Sequence, residues 1–221
     1  MNITDYLFEK ASGLIKRFPE VRDDGRGFEM ADDGGVELET GEFLYGLVRV
    51  IKPTNVLTTG VYTGISDMYV AQALKDNKFG QSQAIEFEKR HLDRAVELWK
   101  RVGVKEQIEE HLMSSLDFEP SRQYQFMFLD TEPQIRFKEL IKFFPYLDEG
   151  GYVGIHDLHR HMGQNANNPD HPSEPHWPWG EVLPEMKQLV AEKKLVPMHF
   201  PTPRGLTFFY KPHREDFKWT I

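Results

Sequence analysis

The run Asn55–Ser66, NVLTTGVYTGIS, decides how the rest of the chain is read. Its first five residues are a short run rich in β-branched residues, Val56, Thr58 and Thr59, which predicts a strand over 55–59. Two glycines follow, Gly60 and Gly64, with Tyr62 and Thr63 between them. Glycine serves where the backbone turns sharply or where a ligand lies against it. Ser66 then stands as N-cap of a helix whose buried stripe is Val70, Ala73 and Leu74. Strand, glycine turn, helix: this is the opening of an α/β unit.

Working outward, the pattern repeats. SQAIEF (82–87) reads as a strand. The helix after it puts Leu92, Ala95, Val96 and Trp99 on one face and stops at Gly103. QIEEHL (107–112) is a weaker strand, and FMFLD (126–130) is a continuous apolar run of the kind buried on both faces. Phe137, Leu140, Ile141 and Phe144 mark a helix over 134–144, and GGYVGIHD (150–157) a turn and a strand. A helix near 180–193 precedes VPMHF and GLTFFYK, two runs around PTPRG that predict a closing hairpin. Upstream, a helix over 3–18, an Asp- and Gly-rich loop, and a helix with Leu44, Leu47, Val48 and Ile51 on one face complete the chain. The expected fold is α/β: a doubly wound, mostly parallel sheet with helices on both faces and a C-terminal antiparallel hairpin. A single domain is expected over 1–221, with 1–52 its N-terminal helical part and 158–179 an active-site loop.

Composition narrows the functions. With 221 residues and 39% hydrophobic content, the chain can bury a full core. A net charge of −8 disfavours nucleic acid, whose phosphates need a basic surface. The absence of cysteine excludes thiolate zinc sites, disulfides and cysteine nucleophiles. No apolar run is long enough to span a bilayer and no signal peptide is seen, so a cytoplasmic protein is expected.

In sheets of this class ligands bind beyond the carboxyl ends of the strands. Glu86 ends the second strand, where nucleotide-binding folds place an acid that accepts hydrogen bonds from both ribose hydroxyls. The spacing Gly60-x-x-x-Gly64 is not the dinucleotide fingerprint G-x-G-x-x-G. Asp67 in the first helical turn is also a poor neighbour for a pyrophosphate. Both features weigh against a nicotinamide-dependent oxidoreductase. A nucleoside with a cationic or neutral centre suits the turn better, and S-adenosylmethionine has that character.

GVYTGIS resembles the first motif of the class I methyltransferases, and in particular the cation-dependent O-methyltransferases of the catechol and caffeoyl-coenzyme A type. MADDGGVELETGEFLYGLVRVIKPTNVL, QAIEFEKRHLDRAVELWKRVGV, FMFLDTEP and GGYVGIHD resemble that family's segments through about residues 30–157, with a weaker match at 196–211. The resemblance implies S-adenosylmethionine as cofactor, lined by Gly60, Tyr62, Gly64 and Ser66. It implies ribose contacts from Glu86, adenine contacts from Ser114 and Ser115, and the methionine tail near Asp130. It also implies a divalent metal such as Mg²⁺ on Asp130 and Asp157, and a small-molecule hydroxyl as acceptor. Three positions depart from the family pattern: Leu158 where an asparagine ligand is common, Pro133 where the catechol branch has a lysine base, and Thr58 in place of an acid.

Two carboxylates ending neighbouring strands suit a hard cation. Without one, the proton of the acceptor falls to His156, His159 or His161 of HDLHRH. The candidate catalytic residues are therefore His156, Asp157 and His159. The segment after Asp157 is long enough for a lid, and Trp177 and Trp179 either pack on the acceptor or anchor that loop. A relative that binds the cofactor without catalysis is the alternative that Leu158 and Pro133 keep open. A homodimer is also open; neither nucleic acid nor membrane is an expected partner.

Overall fold

A computed structural model describes residues 1–21, 25, 27–32, 34–157, 184–200 and 202–213. The described chain divides into two compact units, Met1–Glu119 and Pro120–Ile221. The first unit carries three parallel strands, and the second four strands that pair first parallel and then antiparallel.

The first unit opens with α1 (Ile3–Ala11), half the length the sequence suggests, because Ser12 turns left-handed and its N–H caps the carbonyls of Phe8 and Glu9. At the end of the helix expected over 3–18 the chain instead forms β1 (Arg17–Val21), which pairs antiparallel with β2 (Gly27–Ala31), inside the expected loop. Then follow α2 (Leu38–Ile51), β3 (Asn55–Thr59), α3 (Ile65–Asn77), β4 (Gln81–Glu86), α4 (Lys89–Val102) and β5 (Ile108–Leu112). The three strands β3, β4 and β5 are parallel, in the order β5-β4-β3.

This unit is built around α3. Every residue from Ile65 to Leu74 is buried, so the helix is covered on all sides and shows no single stripe. Helix α2 presses on it so closely that a Cβ on Gly41 would lie 2.4 Å from the Tyr69 ring. The Tyr69 hydroxyl is buried 2.8 Å from Thr4 Oγ1 of α1, and burial pushes its pKa up. Trp99 of α4 is fully buried in the same core.

The second unit carries β6 (Tyr124–Leu129), α5 (Pro133–Phe143), β7 (Leu147–His156), α6 (Pro184–Ala191), β8 (Val196–Phe200) and β9 (Leu206–Tyr210). Strands β6 and β7 are parallel; β9 and β8 close the sheet antiparallel, in the order β6-β7-β9-β8. Phe126 of β6 and Phe208 of β9 stack across one face with ring centroids 6.1 Å apart. The expected hairpin is thus present. The expected loop at 158–179, with His159, His161, Trp177 and Trp179, lies outside the described residues.

Candidate functional site

In the first unit three strand ends come together. Beyond β3 the chain turns left-handed at Gly60 (φ 73°), Tyr62 (φ 49°) and Gly64 (φ 77°). Only glycine takes that conformation without cost. The Gly60 N–H still donates to the Ile85 carbonyl at 3.1 Å, so the β3–β4 ladder runs one residue past the strand before the chain departs. That turn delivers the Tyr62 N–H to Glu86 Oε2 at 2.8 Å, while the Glu88 N–H donates to Glu86 Oε1 at 2.9 Å. Glu86 is 4% exposed, and these bonds fix its carboxylate at the mouth of the strand. Each oxygen accepts one bond and keeps a second lone pair. On the other flank, the Met113 N–H donates to the Glu86 carbonyl at 2.9 Å, which carries Ser114 and the buried Ser115 past the end of β5 beside Glu86. Ser114 starts a turn: its carbonyl accepts from Asp117 and Phe118, and its Oγ from Leu116.

Several sequence-derived site residues meet here, with adjusted roles. Gly64, not Ser66, is the residue that caps α3; Ser66 sits inside the first turn and is buried. A Cβ on Gly64 would lie 2.6 Å from Ala95 Cβ and 2.7 Å from Trp99 Nε1, and Trp99 Nε1 donates to the Gly64 carbonyl at 2.8 Å. The glycine is therefore required by the approach of α4. Tyr62 is 38% exposed and meets the edge of the His91 ring, centroids 4.7 Å apart. Thr58 does not leave its strand without an acid: its hydroxyl donates to Asp67 Oδ1 at 2.5 Å, so the carboxylate comes from α3.

The second unit holds a separate group. Register explains it. Leu129 pairs with Ile155, so the next residues, Asp130 and His156, lie side by side at the ends of β6 and β7. His156 pairs in turn with Leu206, which brings the turn before β9, with Arg204, alongside Asp157. His156 is fully buried, and its Nδ1 faces Asp130 Oδ2 at 3.2 Å and Asp157 Oδ1 at 3.4 Å. Its ring therefore works on the two carboxylates and is shielded from solvent. Asp157 takes a left-handed φ of 56°.

Two arginines complete the group. Arg136 of α5 is buried; its Nη2 lies 3.2 Å from Asp130 Oδ1 and 3.1 Å from Asp157 Oδ2. Its Nε donates to the Thr131 carbonyl and its Nη1 to the His156 carbonyl at 2.6 Å. Arg204 lies against both oxygens of Asp157: its Nη2 donates to Oδ2 at 2.9 Å, while its Nε is an ion-pair contact 2.8 Å from Oδ1, a buried oxygen that accepts no hydrogen bond from the described residues. Burial alone would raise the Asp130 carboxyl, but the facing His156 ring and the two guanidiniums outweigh it and hold it below the usual carboxylate range. The sequence reading missed both arginines. Arg136 had left a signal: it falls at i, i+4, i+7 with Leu140 and Phe143 on the buried face of α5, where an unpaired charge is not tolerated.

Asp130, His156 and Asp157 offer ligand atoms within 4.8 Å of one another, and these are donor types a divalent cation accepts. Charge decides the fit. Both carboxylates already carry guanidinium partners, and a doubly charged ion among them would face two cations within its own ligand shell. As arranged, the group does not fit a divalent cation.

A model of an O-methyltransferase family matches residues 29–176. No curated protein matches the sequence. Among solved structures, the S-adenosylhomocysteine-bound methyltransferase of Podospora anserina is similar with a TM-score of 0.71 at 17% identity, over 96% of this chain and 90% of that one. The O-methyltransferase TomG of Streptomyces achromogenes, involved in tomaymycin synthesis and solved with S-adenosylmethionine, gives 0.65 at 19% identity over 81% and 82%. An O-methyltransferase of Bacillus cereus with S-adenosylhomocysteine gives 0.63 at 18% identity over 79% and 81%. At these identities the structural likeness speaks for the fold.

Proposed function

The chain belongs to the O-methyltransferase family, and from that premise we propose that it moves the methyl group of S-adenosylmethionine to a hydroxyl oxygen of a small molecule. The observation that carries the cofactor assignment is Glu86. It is a buried carboxylate at a strand end, pinned by two backbone N–H groups, with a lone pair left on each oxygen. Two neighbouring acceptors fixed in this way match the paired hydroxyls of a ribose. The glycine turn at Gly60 keeps side chains away from that mouth, and Ser114 and Ser115 flank it on the β5 side, where the adenine belongs in this reading. The buried Asp67 in the first turn of α3 disfavours a pyrophosphate and so a dinucleotide.

Methyl transfer is an in-line displacement. The acceptor oxygen attacks the methyl carbon, the carbon–sulfur bond breaks, and neutral S-adenosylhomocysteine leaves. Alignment of the two partners supplies up to ~7–11 kcal/mol of the barrier reduction. The acceptor proton needs a base. In this proposal Asp157, half-buried and with its Oδ1 in no hydrogen bond among the described residues, receives it, and His156 faces both carboxylates from behind. Among the described residues no helix is long and apolar enough to cross a membrane. A cytoplasmic location and a homodimer belong to the proposal, and sedimentation measures the second.

The test is calorimetric titration with S-adenosylmethionine, S-adenosylhomocysteine and NAD, followed by a panel of hydroxyl compounds assayed for S-adenosylhomocysteine release. Binding of NAD in preference to both sulfur nucleosides, with no turnover on the panel, would sink the reading.

A further inference from the structure

Resting on the O-methyltransferase reading above, we infer that Arg136 and Arg204 stand in for a divalent cation at Asp130 and Asp157, so that this chain performs its chemistry without binding a metal there. Both carboxylates are already taken. Asp157 Oδ2 accepts from Arg204 Nη2 and from Arg136 Nη2, and Arg204 Nε stands 2.8 Å from Oδ1 as an ion-pair contact. A cation binding at Asp157 Oδ1 must push the Arg204 guanidinium charge away from 2.8 Å before it gains that ligand. Asp130 is engaged by Arg136 and by the His156 ring.

An exposed arginine can swing aside for an ion. Arg136 cannot, because its side chain is 5% exposed and two of its nitrogens are committed to the carbonyls of Thr131 and His156. Displacing it would break its hydrogen bonds to both carbonyls and pull a buried charge away from its carboxylates, a costly change. The group is thus built for its arginines.

The charges balance in the same way. Two guanidiniums offset the charge of two carboxylates. A divalent ion in a site of two carboxylates does the same. The arginines supply the same compensation and occupy the same oxygens. The sequence agrees: Leu158, directly after Asp157, has no ligand atom.

The test is titration of chelator-stripped protein with Mn²⁺, the free ion being read by electron paramagnetic resonance, for the wild type, Asp157→Asn, Arg204→Gln, and Arg204→Gln combined with Asp157→Asn. The inference expects no Mn²⁺ bound by the wild type into the millimolar range. It expects binding at least tenfold tighter in Arg204→Gln and loss of that gain in the double variant. Wild-type binding that Asp157→Asn abolishes would overturn it, and so would an Arg204→Gln variant that folds but gains nothing. Circular dichroism reports folding. Should Arg204→Gln not fold, the wild type decides alone: Mn²⁺ bound through Asp157 overturns the inference, and its absence supports it. Calorimetry with S-adenosylhomocysteine is run on the same samples. Failure of that ligand to bind any of them defeats the methyltransferase reading and leaves the manganese result to be read independently.

Discussion

Glu86 serves two sets of partners, and its lone pairs separate them. The Tyr62 and Glu88 N–H groups each take one acceptor position on the carboxylate, leaving the outward positions to a ligand. Glu86→Gln keeps one carbonyl oxygen and removes the charge. Hydrogen bonds to a charged group contribute ~1.5–3 kcal/mol, so S-adenosylhomocysteine should bind roughly ten- to a hundredfold more weakly to the variant. Unchanged affinity by calorimetry would remove Glu86 from the cofactor site. Gly64 makes a contrasting case. Its φ of 77° and the 2.6 Å that would separate an added Cβ from Ala95 Cβ both oppose a side chain. Gly64→Ala should lose about 2 kcal/mol or more, since a left-handed non-glycine residue costs ~1–2 and overpacking typically ~1–3. Urea unfolding measures it, and a loss under 0.5 kcal/mol would show that α4 yields easily, an outcome at the floor of ordinary surface substitutions, about ±0.5 kcal/mol.

At the scale of the element, α4 shows how a helix far from any ligand can set the turn. Trp99 donates its indole N–H to the Gly64 carbonyl and fills the core beneath it. Trp99→Phe removes one of the two hydrogen bonds to that carbonyl, the Met68 N–H remaining at 3.0 Å, and leaves a void behind it. A loss of ~1–3 kcal/mol is expected, with weaker S-adenosylhomocysteine binding as the turn loosens. Stability lost with affinity intact would show that the turn holds its shape without α4. The same helix was plain in the sequence, because Leu92, Ala95 and Trp99 are periodic and Gly103 stops it. The strands β3, β4, β6 and β7 were legible for a similar reason: apolar runs between glycines and helices have few other readings. The β1–β2 pair was not. Four of the five β1 residues, RFPEV, are exposed, Pro19 sits inside the run, and no alternation marks a buried face. In the site, residues that end strands could be named from order alone, Glu86, Asp130, His156 and Asp157 among them. The Arg136 and Arg204 contacts could not, since they join residues 21 and 47 positions from Asp157 and depend on the register of β7 with β9.

For the whole molecule the carboxylates set the response to acid. The chain carries a net charge of −8, but exposed acids change stability little when protonated. The held ones matter. Burial opposes ionisation at Glu110 of the first unit, yet its hydrogen bond and ion pair with Lys105 prevail and lower its pKa. Asp130 of the second unit is likewise held down by His156, Arg136 and Arg204 against its burial. For a carboxyl whose folded pKa lies below its unfolded one, the native state binds fewer protons. Its contribution is therefore fully present above the unfolded value, near pH 4, and is lost as pH falls through the folded value. Stability should stay level in this respect from pH 7 to about 5 and drop steeply below about 4. Asp130→Asn tests the assignment. It removes the charge that Arg136 faces, so the variant should be less stable at pH 7, and its unfolding midpoint in urea should fall less between pH 5 and pH 3 than that of the wild type. The two curves should approach each other in acid, where the wild-type Asp130 becomes neutral as well. Parallel curves across the whole range would mean that the acid response comes from other carboxylates and that the ring and guanidiniums around Asp130 contribute nothing to folding.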